Sequence, residues 1–338
     1  MKRHIPLQDW IATHPSAVSI ATLAIPAAIL VTAAVEAGPS IFSAHFATGT
    51  ANFLDYFHVS FISTSFVVFF AVILVLERLI PADPAQASLT RGLLFDTGFC
   101  VISLLIHFLL VALFAVLFLN FFSRHVPLSG LPIKHWPNWL RVLIVLVSID
   151  FAGWLSHVIR HKIPMLWHFH ALHHSQGAMN LMTEFRMHPC DLLARTLIVS
   201  FVFIVVQIPI GQALIFVLLQ KYYLMFLHAN VDITYGPLDR IFVSPRVHRL
   251  HHAIQPELHD RNYGVYLSIW DTVFGSFQTT AARTIKTGVE GFPDERDVPW
   301  YRLPLTFLRQ ITLPLSQTGQ SLRAMLKARS RSGPGPAI

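Results

Sequence analysis

The sequence predicts an all-α, polytopic membrane protein with about four spanning helices, a re-entrant helical hairpin and a cytoplasmic cap rich in histidine. Three observations lead there. Of 338 residues, 54% are hydrophobic and 13% charged, with mean hydropathy +0.54; an ordinary soluble domain carries about 25% charged residues. The apolar residues gather in runs of about 20, the length that crosses a bilayer. And 12 of the 19 histidines fall between residues 157 and 259.

Four stretches are apolar enough to span: residues 16–35, 58–77, 98–122 and 138–157. The first follows a basic start, but the apolar run is too long and leads into further spans, so it reads as a membrane helix and not a cleaved signal. Lys2 and Arg3 precede it, residues 36–57 hold no Lys or Arg, and Arg78 and Arg91 flank the next loop. Positive charge marks the cytoplasmic side, which places the N-terminus there; Arg124, Lys134 and Arg141 count against it. Four crossings return the chain to the cytoplasm near residue 157, where the histidines begin.

A fifth apolar stretch covers residues 195–228. One crossing would put His173 and His251 on opposite faces of the membrane. Two full spans need about 40 residues, and 34 are present. Pro209 and Gly211 lie near the middle as turn signals. A shallow hairpin that dips in and returns is therefore expected. The net charge of +7 resides mostly in loops and the C-terminal segment without interleaved aromatics. That excludes nucleic acid as a partner and points to anionic headgroups. The two cysteines, Cys100 and Cys190, provide no disulfide framework.

The histidines are ordered. His157 and His161 are four apart at the end of the fourth stretch. His170, His173 and His174 form one H-x-x-H-H, and His248, His251 and His252 form a second. His228 closes the hairpin, and His188, in RMHP, is a further candidate ligand. Positions i and i+4 share a helix face, so His157 and His161 can bind one metal. In H-x-x-H-H the i and i+3 residues share a face, while the adjacent fifth residue points about 100° away, toward a neighbouring position. Each triplet can then serve two ions. Neutral imidazole suits Zn, Fe, Cu and Ni. Asp150 lies on the face of His157 and His161 and is read as the carboxylate that accepts the second N–H of an imidazole. Isolated histidines such as His45, His107 and His135 read as packing residues.

Several metalloprotein classes fail on pattern. The sequence has no H-E-x-x-H of the zinc proteases and no Glu-x-x-His of soluble di-iron bundles. Haem ligation has no use for H-x-x-H-H. A membrane metal transporter or metal sensor, using the same histidines without redox chemistry, stays open on residues alone.

The chain resembles the integral-membrane fatty acid hydroxylase/sterol desaturase superfamily from about residue 74 to 315. The resemblance rests on ERLIPA (77–82), RGLLFD (91–96), DFAGWLSHVIRH (150–161), HFHALHHS (168–175), EFRMHP (184–189), FLHAN (226–230), SPRVHRLHH (244–252) and RNYGVYLSIWDTVFGSF (261–277). It implies a histidine-rich centre of two iron ions, isolable with zinc, that uses O2 to hydroxylate or desaturate a C–H bond of a lipid such as a fatty acyl chain, sterol or aminolipid. It implies electrons from an external donor, a cytochrome b5-like protein or ferredoxin with its reductase. Two departures stand out. Asp191 replaces a glutamate common after HP, and Leu224 stands where some relatives place a ligand histidine, leaving one metal with fewer protein ligands. Residues 1–95 are expected to form N-terminal membrane helices and a loop, 96–282 the di-metal catalytic region, and 283–338 a cytoplasmic tail with a disordered end. Trp167, Phe169, Phe185, Tyr222 and Tyr223 are candidates to line an acyl channel. Arg186 and Arg246 are candidates to meet a headgroup or pair with a carboxylate near the metals such as Glu184, Asp232 or Asp271, the alternative being an ordinary structural ion pair.

Overall fold

The computed structural model describes residues 64–331 apart from 88, 115–135, 207–219, 281, 283 and 297. The predicted span 16–35, much of the N-terminal region, the centre of the hairpin and residues 332–338 lie outside these. The described chain is helical. Its only β-type pairings among the described residues are two isolated bridges, Phe242 with Leu267 and Ala253 with Thr287.

Nine α-helices can be followed among the described residues. They are α1 (Thr64–Leu79), α2 (Arg91–Phe114), α3 (Asn138–Lys162), α4 (Pro164–His174), α5 (Pro189–Val206), α6 (220–228), α7 (Pro245–His251), α8 (Ile269–Phe274) and α9 (Leu303–Arg331). Prolines punctuate them. Pro164, Pro189 and Pro245 each stand first in a helix, where the missing N–H costs nothing. The residue before a proline avoids helical geometry. Ile163 is accordingly extended (φ −95°, ψ 111°), so α3 stops at Lys162 and α4 departs in a new direction. That break lets the end of α3 face the end of α4, and α3 also packs extensively on α5.

Helices α1, α2 and α3 coincide with parts of three predicted spans, and α5 and α6 with the two limbs of the predicted hairpin. Among the described residues no helix is long and apolar enough to cross a membrane. The stretch 98–122 and the hairpin both run into residues outside the description.

The core joins Phe69 and Ile73 of α1, Leu93 and Leu104 of α2, Leu181 to Phe185, and the buried residues of α6 to Val243, Val247 and Val265. Phe185 and Tyr222, read as channel aromatics, are buried in this core, and the Tyr223 hydroxyl donates to the Val243 carbonyl.

Residues 284–331 are packed onto the histidine-bearing helices and do not trail away from them. Arg186, fully buried, donates to Asp96 (2.8 Å) and to both oxygens of Glu295 (2.9 Å each). Gln310 of α9 donates to the same Glu295. Arg186 thus meets no headgroup and no carboxylate at the histidines. It ties α2, the 175–188 segment and the C-terminal segment together. Removing one member of such a buried pair costs about 3–5 kcal/mol. Arg246 does pair with Asp232, one of the carboxylates expected for it, and also donates to the Ala282 carbonyl.

Candidate metal centre

Nine of the ten candidate ligands converge. His157, His161, His170, His174 and His251 form one group, and His173, His228, His248 and His252 a second. Within each group the ligand atoms all lie within 4.8 Å of one another. Both groups are buried, His161 alone being partly exposed. The H-x-x-H-H motifs explain the sharing. Helix α4 gives His170 and His174 to the first group and His173 to the second. Helix α7 gives His251 to the first group, and His248 with its C-cap residue His252 to the second. Each motif therefore divides as i and i+4 against i+3, not as i and i+3 against the fifth residue. On a helix, i+4 lies about 40° from i and i+3 about 60° on the other side, so the closer pair shares an ion. Helix α3 completes the first group with an i, i+4 pair. Helix α6 completes the second with His228 alone, because Leu224 occupies the position four residues earlier.

Hydrogen bonds fix the ring tautomers. His157 Nδ1 lies 2.9 Å from the Tyr263 carbonyl oxygen and His251 Nδ1 lies 2.6 Å from that of Arg261. A carbonyl only accepts, so both Nδ1 atoms carry the proton, and a neutral imidazole has only one. Both Nε2 atoms are then bare lone pairs, yet they sit 2.9 Å apart. Two acceptors at that distance repel unless a cation joins them. A proton is a poor candidate, because burial pushes His251 well below the ordinary histidine range. A metal ion satisfies the geometry: nitrogens bound to one ion at about 2.1 Å, roughly at right angles, sit about 3.0 Å apart. The other Nε2 pairs agree, at 3.2 Å for His161–His174, 3.0 Å for His248–His228 and 3.2 Å for His228–His173. His170 Nε2 and both nitrogens of His252 are buried with no hydrogen-bond partner among the described residues. Burial also lowers the proton affinity of His170, His173, His174, His248 and His252, the neutral form a metal requires. The residues fit two ions.

The partners behind the rings differ from those the sequence suggests. Asp150 reaches no imidazole. Its oxygens accept from the backbone N–H of Tyr266 (2.9 Å) and from Trp270 Nε1 (2.7 Å). One turn along α3, Trp154 Nε1 donates in return to Asp271 (3.0 Å), which also accepts the N–H groups of Tyr263 and Gly264. Asp150 and Trp154 thus cross-pair with Trp270 and Asp271. They hold the segment whose Tyr263 and Arg261 carbonyls orient His157 and His251. Gly264 is needed there, since a Cβ would lie 2.8 Å from the Leu267 carbonyl oxygen and 2.8 Å from Val243. Asn262 takes the left-handed φ of 55° and clamps the segment to Val247 and Gln278.

Three carboxylates do approach imidazoles. Asp191 lies 3.0 Å from His170 Nδ1 and is held by Arg160, which is buried between His157 and His161 on α3. Asp260, at a left-handed φ of 58°, lies 3.4 Å from His161 Nδ1 and pairs with Lys162. Glu184 is 3.7 Å from His228 and pairs with Arg195. A signal for Arg160 was present: a cation flanked by ligands on a helix must be neutralised. His188 joins neither group. Its Nε2 bonds the Ile311 carbonyl of α9, and its Nδ1 accepts from the backbone of Cys190. Among the channel aromatics, Trp167 lies against His161 and His174, and Phe169 against His188.

Comparison with known proteins agrees with this geometry. Residues 142–276 match the model of the fatty acid hydroxylase family. An ornithine lipid hydroxylase of Rhizobium tropici is 28% identical over 296 residues, covering 82% of this chain and 81% of that protein. The alkylglycerol monooxygenase of Danio rerio is 29% identical over 44% of this chain and 32% of its own length. The human alkylglycerol monooxygenase is 27% identical over 41% of this chain and 31% of its own length. No solved structure matches. The matched region holds all nine converging histidines, and over it the chain is similar to the fatty acid hydroxylase family and to lipid hydroxylases and monooxygenases.

Proposed function

We propose that this protein is a membrane-bound lipid hydroxylase whose nine converging imidazoles hold two iron ions. The observation that carries the reading is the pair of facing lone pairs on His157 and His251, with the Nε2 atoms of His173 and His248 similarly close to that of His228. The metals, when bound, supply the reductive cleavage of O2 and the oxidising power to break an unactivated C–H bond. The reaction takes a C–H bond, O2, two electrons and two protons to an alcohol and water. The chain's own part is to hold the ligands neutral, fix the tautomers of His157 and His251 through the Tyr263 and Arg261 carbonyls, hold His170 beside Asp191 and Arg160, and keep water out by burial. Trp167, against His161 and His174, would border the substrate chain on the five-histidine side. The electrons come from a separate cytochrome b5-like protein or ferredoxin with its reductase.

The membrane reading is supported by the outward faces of the helices, where Val67, Val68, Leu94, Val101, Leu143 and Leu197 are exposed apolar side chains, a pattern that suits lipid and not water. The cap is placed on the cytoplasmic side by the charge count alone. Among lipids, a polar aminolipid is the favoured substrate, because the relative aligned along most of both chains is an ornithine lipid hydroxylase.

The test is mass spectrometry of lipids after incubation of detergent-purified, iron-loaded protein with an ornithine lipid, reductant and isotopically labelled O2. The account predicts a product heavier by one labelled oxygen, absent in His251→Ala. Unchanged lipids despite a full metal complement, or oxygen drawn from water, would contradict it.

A further inference from the structure

Helix α9 has two partnered functions on one side and none on the other. Its inner face is buried at Thr306 and Gln310, and its Phe307 ring meets Phe95 and Phe99 of α2. Ser321 reaches His168, and the Ile311 carbonyl reaches His188, so the helix is bound to the segment that carries the α4 ligands. Its outer face presents Leu308, Leu315 and Leu322, each about half exposed. Residues seven apart drift by only about 20° on a helix, so the three share one side of α9, with Pro314 lying within the helix between Leu308 and Leu315. The helix contains five Arg or Lys and no Asp or Glu. Arg309 and Arg323 flank the stripe, exposed, and no carboxylate among the described residues pairs with either. At the N-terminal end Trp300 and Tyr301 are the most exposed aromatics among the described residues, with Arg302 over the Tyr301 ring.

An aliphatic stripe edged with unpaired cations and closed by Trp and Tyr matches a helix lying in a membrane interface. We propose that α9 rests on an anionic bilayer surface, leucines down and Arg309 and Arg323 among the headgroup phosphates. An acidic protein would meet the arginines but leave the leucine stripe in water, so the bilayer is the better occupant. Because the opposite face of α9 holds α4, this contact sets the depth of the histidine groups relative to the headgroups. The inference goes beyond lipid hydroxylation and shares with it only the presence of a membrane.

The experiment uses the full chain in nanodiscs, with Cys190→Ser and a bimane label at Leu315→Cys or, on the polar side, at Gln320→Cys. Acyl-brominated lipid is the quencher, in discs of phosphatidylcholine with or without phosphatidylglycerol. The proposal expects the Leu315 label to lose most of its emission in phosphatidylglycerol discs while the Gln320 label keeps most of its own. Arg309→Glu with Arg323→Glu should restore the Leu315 emission. Metal content of each variant reports whether the histidine region is folded, and only folded variants are compared. The proposal is overturned if both labels stay bright. It is also overturned if quenching at Leu315 ignores both phosphatidylglycerol and the charge reversals, or if an acidic redox protein and not lipid covers the Leu315 label. Quenching needs no turnover, so a failure of the hydroxylase reading and a failure of this one are separately visible.

Discussion

The two histidine groups are built from the same motifs and supported differently. The five-histidine group is braced from outside. His157 and His251 donate to the Tyr263 and Arg261 carbonyls, His170 faces Asp191, and His161 faces Asp260. The four-histidine group is braced once, by His228 donating to the Leu224 carbonyl of its own helix, with Glu184 a further 3.7 Å contact. The Nδ1 atoms of His173, His248 and His252 are buried and without a partner among the described residues. Partners behind the ligands fix ring orientation and raise metal affinity. On the proposed reading the first group is the more firmly braced site, and the second, with one imidazole fewer, would be the one to leave a coordination position open for the chemistry.

Removing one ligand from each group should break the symmetry most. His228→Ala leaves three imidazoles and should lower turnover by more than about 100-fold, above the range for losing a supporting hydrogen bond, with one of two irons missing by elemental analysis. His161→Ala leaves four and should retain both irons, with a loss of about tenfold. Asp191→Asn comes next. It weakens support for His170 and Arg160 only on the five-histidine side, and a loss of about 10–100-fold in affinity for that ion is expected, read by competition with a chelator. Leu224→His should sharpen the comparison from the other side. A fifth imidazole on α6 should slow loss of the second iron to a chelator by about tenfold while lowering turnover, because the open position is filled. The smallest effect is expected from Glu184→Gln. At 3.7 Å it forms no hydrogen bond to His228, so turnover should stay within about fivefold of wild type, the range of a weak ion pair.

The converging histidines were readable in the sequence because histidine spacing is local. His157 with His161, and each H-x-x-H-H, carry their geometry in fewer than two helical turns. The helical class was equally legible in the apolar runs, whereas the helix starts at Pro164, Pro189 and Pro245 were not read from the sequence. What else escaped was long-range. Asp150 shares a face with His157, and the face was right, but its partner Trp270 stands 120 residues away. The carbonyls of Tyr263 and Arg261 orient two ligands as backbone groups, which leave no residue-type signature. His188 has the residue type of a ligand and the neighbours of a strut, and only the position of α9 distinguishes them. The same holds for Arg186, whose partners Asp96 and Glu295 come from opposite ends of the described chain.

The central claim is that the histidines hold two irons in unequal settings. The Mössbauer spectrum of protein grown on isotopically enriched iron tests it most directly. The account predicts two distinct quadrupole doublets of equal area, with one lost in His228→Ala and the other retained. A single doublet, or a spectrum that His228→Ala leaves unchanged, would contradict it.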